Sequence, residues 1–350
     1  MSSVLQGGAK RRRRPRGPLL ALLVALALAG GGAAAVAFVT SGDDATVSGQ
    51  RQRAASVRPS APPEKRERTA RLPRQLPPGI TIAGPNSVDV SLEPRPAAAL
   101  LFDVDTGRVM WRLKPMRVRP IASVTKIMTA LLAVQRLPPE ATSLIRKEAV
   151  RFTGSMVGVL PRGKRVTVRT LLFGAMLPSG NDAAIALADR MAGSDRRFAR
   201  LMNRKARRLK LSCTRFVSSY GLQKGNVSCP ADLAALTRIV MREPRIAEVV
   251  RRRQANPYFP FIQGKHLNLY NTNPLLRMGY KGTIGLKTGT TDEAGHCFVA
   301  VVRRGGHTLG VVLLNSPDIG GQAVRLLDAG FRQVRRDDRR TQAGSGSGSG

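Results

Sequence analysis

The sequence predicts an α+β fold in which one antiparallel sheet takes its strands from both ends of the folded region. Three observations predict it. Apolar runs of strand length, bounded by turn residues, fall within residues 97–113 and again within 285–315. Between them, apolar residues recur at intervals of three and four, the helical period. No internal repeat is present, so the two strand groups bury their faces by meeting in one sheet, with the helices as a flanking layer and an insert.

The elements follow in order. Residues 1–17 form a basic segment with Lys10, Arg11, Arg12, Arg13, Arg14 and Arg16. Residues 18–39 are apolar, and as a helix the uncharged run 19–39 spans about 31 Å, the thickness of a bilayer core. Positive charge before such a run predicts a cytoplasmic N-terminus and an exported body. Ala35-Val36-Ala37 resembles a signal-peptide cleavage site, but the length of the run favours an uncleaved anchor. Residues 40–84 read as an extended tether, because Pro59, Pro62, Pro63, Pro73, Pro77 and Pro78 prevent regular structure and large apolar residues are few.

The folded domain is expected over 85–336. Residues 97–104 and 108–113 read as a hairpin about Asp105-Thr106-Gly107. After Pro120 the pattern turns helical, with Ile127, Ala130, Leu131 and Val134 on one face until Pro138 and Pro139. Further helices are expected over 166–177, with Thr167 near its cap, and over 183–191, 198–209 and 231–241, the last with Asp232 in its first turn. Strands return at 285–290, then as a hairpin of 297–303 and 308–315 about Gly305-Gly306. A helix over 323–334 follows, and 337–350, ending in alternating Ser and Gly, is expected to be a disordered tail.

Composition bounds the partners. With 58 basic and 22 acidic residues the formal charge is +36, which suits a polyanion. One tryptophan and four tyrosines give too few stacking platforms for single-stranded nucleic acid, and an exported body does not meet nucleic acid. Anionic lipid headgroups or anionic wall polymers suit the charge, and a solvated arginine-rich surface accounts for it equally well. Cys213 and Cys229 are a candidate disulfide in an exported chain. Cys297 lies in an apolar strand and reads as a buried free thiol. His266, His296 and His307 are scattered and no spacing suits zinc, so no metal is expected.

Three short words carry chemistry. In Ser123-Val124-Thr125-Lys126, the serine and lysine fall within one turn at the start of a helix. A serine hydroxyl needs a base, and lysine serves when burial and a second cation favour its neutral form. Free N–H groups at that helix start can stabilise an oxyanion. In Ser179-Gly180-Asn181, the serine can relay a proton while the asparagine holds Lys126 and a substrate amide. In Lys287-Thr288-Gly289, on a strand, the cation and hydroxyl suit a carboxylate, and Gly289 admits an extended substrate backbone. The Thr290 N–H stands beside that approach. Each word is common alone; the conjunction, in this order, is specific.

Here the chain resembles the penicillin-recognising serine enzymes, and more narrowly the D-alanyl-D-alanine carboxypeptidases of low molecular mass, peptidase family S11. The matching stretches are 121–130, 177–184 and 285–291, with 271–276 also similar. The resemblance implies a β-lactamase/transpeptidase-like fold and an acyl-enzyme on Ser123. Lys126 would be the general base, and Ser179 and Asn181 the second edge of the site. Lys287 and Thr288 would bind the substrate carboxylate, and the N–H groups of Ser123 and Thr290 would form the oxyanion hole. The expected substrates are peptidoglycan stem peptides ending in D-Ala-D-Ala, with β-lactams as inhibitors and no cofactor. Two rival readings fit the residues less well. A serine β-lactamase of the common class needs a deacylating glutamate, and none occurs between Glu148 and Glu243. A catalytically silent wall- or polyanion-binding protein fits the charge but not the intact words.

Overall fold

The structure, a computed structural model, describes residues 75–152 and 154–345. The basic segment 1–17, the apolar segment 18–39 and the tether as far as residue 74 lie outside the described residues. Among the described residues no helix is long and apolar enough to cross a membrane.

The first hairpin forms from β1 (Ala98–Asp103) and β2 (Val109–Leu113). Asp103 closes its turn, its Oδ1 accepting from the Thr106 N–H at 2.7 Å and its carbonyl from the Gly107 N–H at 2.8 Å. After β3 (Arg119–Pro120), a 3-10 turn over Ala122–Thr125 runs into α1 (Lys126–Arg136). The sequence period predicts one apolar face for α1. Every residue from Lys126 to Val134 is nevertheless buried, because other elements pack on all its sides.

The insert comprises β4 (Thr142–Leu144), α2 (Lys147–Val150), β5 (Arg165–Thr167), α3 (Val168–Met176), α4 (Asn181–Ala192) and α5 (Asp195–Arg208). Thr167 caps α3, its Oγ1 accepting from the Thr170 N–H at 3.2 Å. Then come β6 (Val227–Ser228), α6 (Pro230–Val240), α7 (Pro244–Val250), β7 (Gln254–Ala255), β8 (Leu269–Tyr270) and α8 (Pro274–Arg277). Three of these helices begin on proline, whose missing N–H costs nothing at a first helical position. The last third is β9 (Thr283–Thr291), β10 (Gly295–Arg304), β11 (His307–Leu314) and α9 (Ile319–Ser345).

The main sheet has the order β2-β1-β11-β10-β9 and its pairs are antiparallel. It joins strands from both ends of the folded region, as the sequence predicts. Both faces are covered. Ala98, Leu100, Phe102, Val299, Val301 and Val312 join the core shared with the helical layer. Their alternates Ala99, Leu101, Phe298, Ala300 and Val311 pack with Leu326, Leu327 and Phe331 of α9. The period-two alternation therefore separates two apolar faces rather than an apolar from a polar one. β9 is one edge strand of this sheet and β2 the other, so beyond the β10 ladder the β9 backbone has no further strand partner.

Two boundaries differ from the sequence reading. Residues 75–84, expected within the tether, pack on the body: Ile80 is buried, and Thr81 exchanges backbone hydrogen bonds with Gly107 and Val109. The tail, expected to be disordered from 337, is helical as far as Ser345. Side-chain ties hold that extension: Asp338 accepts from His307 Nε2 at 2.9 Å, and Asp337 lies 3.6 Å from Arg108.

Candidate active site

The nucleophile's turn is fixed from both sides. Ile121 donates its N–H to the Asn226 carbonyl at 3.1 Å, and β3 pairs with β6. On the other side lies Gly289 of β9. A methyl group there would stand 2.8 Å from the Ser123 nitrogen and 2.9 Å from that of Val124, so only glycine lets the strand approach these N–H groups. Ser123 and Lys126 are both buried, the lysine completely.

Lys126 Nζ has three oxygen partners, each at 2.8 Å: Ser123 Oγ, Asn181 Oδ1 and the Tyr220 carbonyl. Ser123 Oγ also lies 3.4 Å from the Tyr220 carbonyl. Burial pushes the Lys126 pKa well below the ordinary lysine value; the charge of Lys287 adds to this and Asp182 opposes it. Burial brings Lys287 down to about 7, and its Nζ donates to the Thr288 carbonyl at 2.9 Å. The arrangement therefore couples a hydroxyl to an amine whose neutral form is favoured by burial and by a second buried lysine close by.

The other predicted residues lie as follows. Asn181 is the first residue of α4 and is fully buried. Ser179 sits just before it in a left-handed conformation, with φ of 66°. Its Oγ is buried and has no hydrogen-bond partner among the described residues. Thr288 Oγ1 shares a hydrogen bond with Thr272 Oγ1 at 2.7 Å. Thr272 in turn donates its N–H to the Leu177 carbonyl at 3.1 Å. This ties the strand edge to the turn carrying Ser179. Thr290 Oγ1 lies 3.0 Å from His296 Nδ1. Ser123, Lys126 and Asn181 thus form one hydrogen-bonded cluster; Gly289 touches its backbone, and Lys287 reaches it through charge.

Some residues of the site leave little trace in the sequence. The Tyr220 carbonyl, an acceptor for Lys126, is a backbone atom. Gly221, with φ of 96°, presses so closely that an added methyl would stand 2.0 Å from the Ala122 oxygen. Asp182 follows the Ser-Gly-Asn word. It accepts from the N–H groups of Val157 and Gly158 at 2.9 and 3.0 Å, fixing the loop between α2 and β5 beside the site. Asn273 donates to the Gly285 carbonyl and caps α8, which sets β9 in place.

Cys213 and Cys229 are joined in a disulfide with Cα atoms 5.6 Å apart. It closes the segment that carries Tyr220 and Gly221. Asp232 comes within metal-ligating reach of both sulfurs, but the disulfide occupies them. The carboxylate instead accepts from the Cys213 N–H at 2.8 Å and Thr214 Oγ1 at 2.7 Å. Cys297 is a buried thiol whose pKa burial raises to about 11.

Comparison with known proteins agrees with this geometry. A model of the family described as D-alanyl-D-alanine carboxypeptidase, peptidase S11, matches residues 86–318. The D-alanyl-D-alanine carboxypeptidase DacF of Bacillus subtilis is 31% identical over 245 residues, which are 67% of this chain and 62% of that protein. DacB2 of Mycobacterium tuberculosis, named as the same activity, is 34% identical over 241 residues, 66% of this chain and 81% of that protein. Among solved structures, the Streptomyces K15 DD-transpeptidase superposes with a TM-score of 0.63 at 32% identity, covering 69% of this chain and 100% of that one.

Proposed function

The chain belongs to the D-alanyl-D-alanine carboxypeptidase family, and from that premise we propose that it removes the terminal D-alanine from peptidoglycan stem peptides through an acyl-enzyme on Ser123. The observation that carries this reading is the 2.8 Å contact between Ser123 Oγ and the fully buried Lys126 Nζ. In the free enzyme that amine donates. Once neutral, it accepts the serine proton as Oγ attacks the penultimate carbonyl. The oxygen that gains charge is met by the N–H groups of Ser123 and Thr290.

The carbon–nitrogen bond then breaks, and the proton passes to the departing D-alanine amine. Ser179 relays it, a role its buried, unpartnered hydroxyl supports. Asn181 holds Lys126 and the substrate amide. Lys287 and Thr288 grip the free carboxylate, while Gly289 lets the peptide lie along the open side of β9 as an added strand. Water later cleaves the ester and restores Ser123. A β-lactam enters by the same route, but its amine stays attached, so the acyl-enzyme persists.

The test is incubation with a muropeptide ending in D-Ala-D-Ala. Loss of one alanine, abolished by Ser123→Ala, is the expected result. A cross-linked dimer supplied alongside reports endopeptidase cleavage. No alanine released from either substrate contradicts the reading. We also infer that residues 18–39 anchor the protein in the membrane and that 40–74 carry the catalytic body into the wall, a reading supported by the basic flank and the apolar length. The mass of the mature N-terminus tests it.

A further inference from the structure

The proposed reaction leaves the charge of the chain unused. We propose that a groove beside α5, separate from the catalytic cluster, binds a linear phosphate polyanion of the cell envelope, a chain of phosphodiester-linked polyols. The groove has a volume of about 1100 Å³. Its walls carry Arg200, Arg204, Arg207, Lys210 and Arg215 around Leu211, and no residue of the catalytic cluster lines it. The five cations are exposed, and none is in an ion pair among the described residues.

The placement of charge on α5 favours a ligand over a merely solvated surface. Arg196, Arg200, Arg204 and Arg208 stand at successive i, i+4 positions, where like charges repel. Arg196 and Arg197 lie in the first turn, against the helix dipole. The acid of that turn, Asp195, is turned away to accept the Ser219 N–H at 2.9 Å. Arg207 and Arg208 lie in the last turn, where the dipole favours them; it is the Arg196, Arg200, Arg204 row whose repulsion an anion on this face would relieve.

The spacing also suits a phosphate chain. Arg200, Arg204 and Arg207 rise by about 6 and 4.5 Å along the helix, so one extended polyanion can meet all three. Arginine forks pair with phosphate oxygens two at a time. A membrane surface fits less well. A helix lying in a bilayer interface exposes an apolar face, whereas Phe198, Leu201 and Met202 of α5 are buried in the core, and the cations line a concavity. Single-stranded nucleic acid fits less well again, because no aromatic side chain lines the groove to stack on bases.

The test uses the full chain and a fluorescein-labelled poly(glycerol phosphate), titrated at several salt concentrations. The triple variant Arg200→Gln, Arg204→Gln, Arg207→Gln is compared with a matched triple on α9, Arg332→Gln, Arg335→Gln, Arg336→Gln. The groove triple is expected to weaken binding about tenfold or more and to reduce the salt slope by about 2, as for three lost phosphate contacts. The matched triple is expected to change affinity by less than about twofold. Equal weakening by both triples, or no binding by the unmodified protein, overturns the proposal. So does groove-dependent binding to phosphatidylglycerol vesicles without binding to the polymer. If the α5 triple does not fold, Lys210→Gln with Arg215→Gln, outside the helix, decides on the same criteria. Penicillin acylation, unchanged in every folded variant, separates failure of this proposal from failure of the catalytic reading.

Discussion

Replacing Gly221 with alanine tests whether the Tyr220 carbonyl belongs to the catalytic base. The new methyl would stand 2.0 Å from the Ala122 oxygen, 2.5 Å from the Ala122 carbonyl carbon and 2.9 Å from Thr125 Oγ1. Two of these are backbone atoms of the nucleophile's turn, so relief needs a displacement of about 1.4 Å to reach ordinary contact. The Tyr220 carbonyl moves with its neighbour, and its 2.8 Å bond to Lys126 Nζ opens beyond hydrogen-bond range. Losing a bond to a charged donor costs about 1.5–3 kcal/mol, and alanine in a left-handed conformation about 1–2 kcal/mol more. A total of about 2.5–5 kcal/mol lowers the melting temperature by roughly 5–20 °C for a domain of this size. Misplacing the base by about 1 Å slows acylation about 100-fold. The assay is the second-order rate of labelling by a fluorescent penicillin, with a thermal melt of the same sample. Gly225→Ala is the control: φ is 100° there, but the nearest atom to an added methyl is a Val217 side-chain carbon at 3.3 Å. It should lose stability and keep its rate. If Gly221→Ala acylates within about threefold of the unmodified enzyme, the carbonyl plays no part in holding the base.

Three further outcomes follow from the same geometry. Acylation should fall above about pH 7 as Lys287 becomes neutral and loosens its grip on the carboxylate; a rate flat from pH 6 to 9 contradicts that assignment. Lys287 is lowered on folding, so the unfolded chain binds its proton more tightly. Stability therefore increases between about pH 7 and the ordinary lysine value, by on the order of 1 kcal/mol per pH unit. Denaturant titrations should show that slope shrink in Lys287→Met. Removing the disulfide by Cys213→Ser with Cys229→Ser, which opens a loop of sequence separation 16, should cost up to about 3 kcal/mol. It should also slow penicillin labelling, because the same loop presents Tyr220; an unchanged rate detaches the bridge from the site.

Much of this site is legible in the sequence because its side chains sit in short words. Ser123 and Lys126 are one turn apart, so any helix there brings them together. Asn181 meets Lys126 only through the fold, yet its word is recognisable beside the other two. What is not legible is mostly backbone. The Tyr220 carbonyl has no residue code, and Gly221 looks like an ordinary loop glycine until Ala122 is seen against it. β3 and β6 are two residues each, too short for a period to show, although they clamp the nucleophile's turn. Ile80 is one apolar residue in a proline-rich run, so its burial is hidden. The extension of α9 depends on Asp337 and Asp338 meeting Arg108 and His307, partners remote in the chain. The buried state of all of α1 is equally hidden, since its period suits a one-sided helix.

The central claim is that a neutral Lys126 amine draws the proton from Ser123. Peptide mapping by mass spectrometry after brief exposure to benzylpenicillin tests it most directly, comparing the unmodified protein with Lys126→Met and Ser123→Ala. One penicilloyl group, on Ser123, is expected in the unmodified protein and none in either variant, with all three folded by circular dichroism. An adduct on another residue, or one formed at the normal rate on Ser123 when Lys126 is methionine, would contradict it.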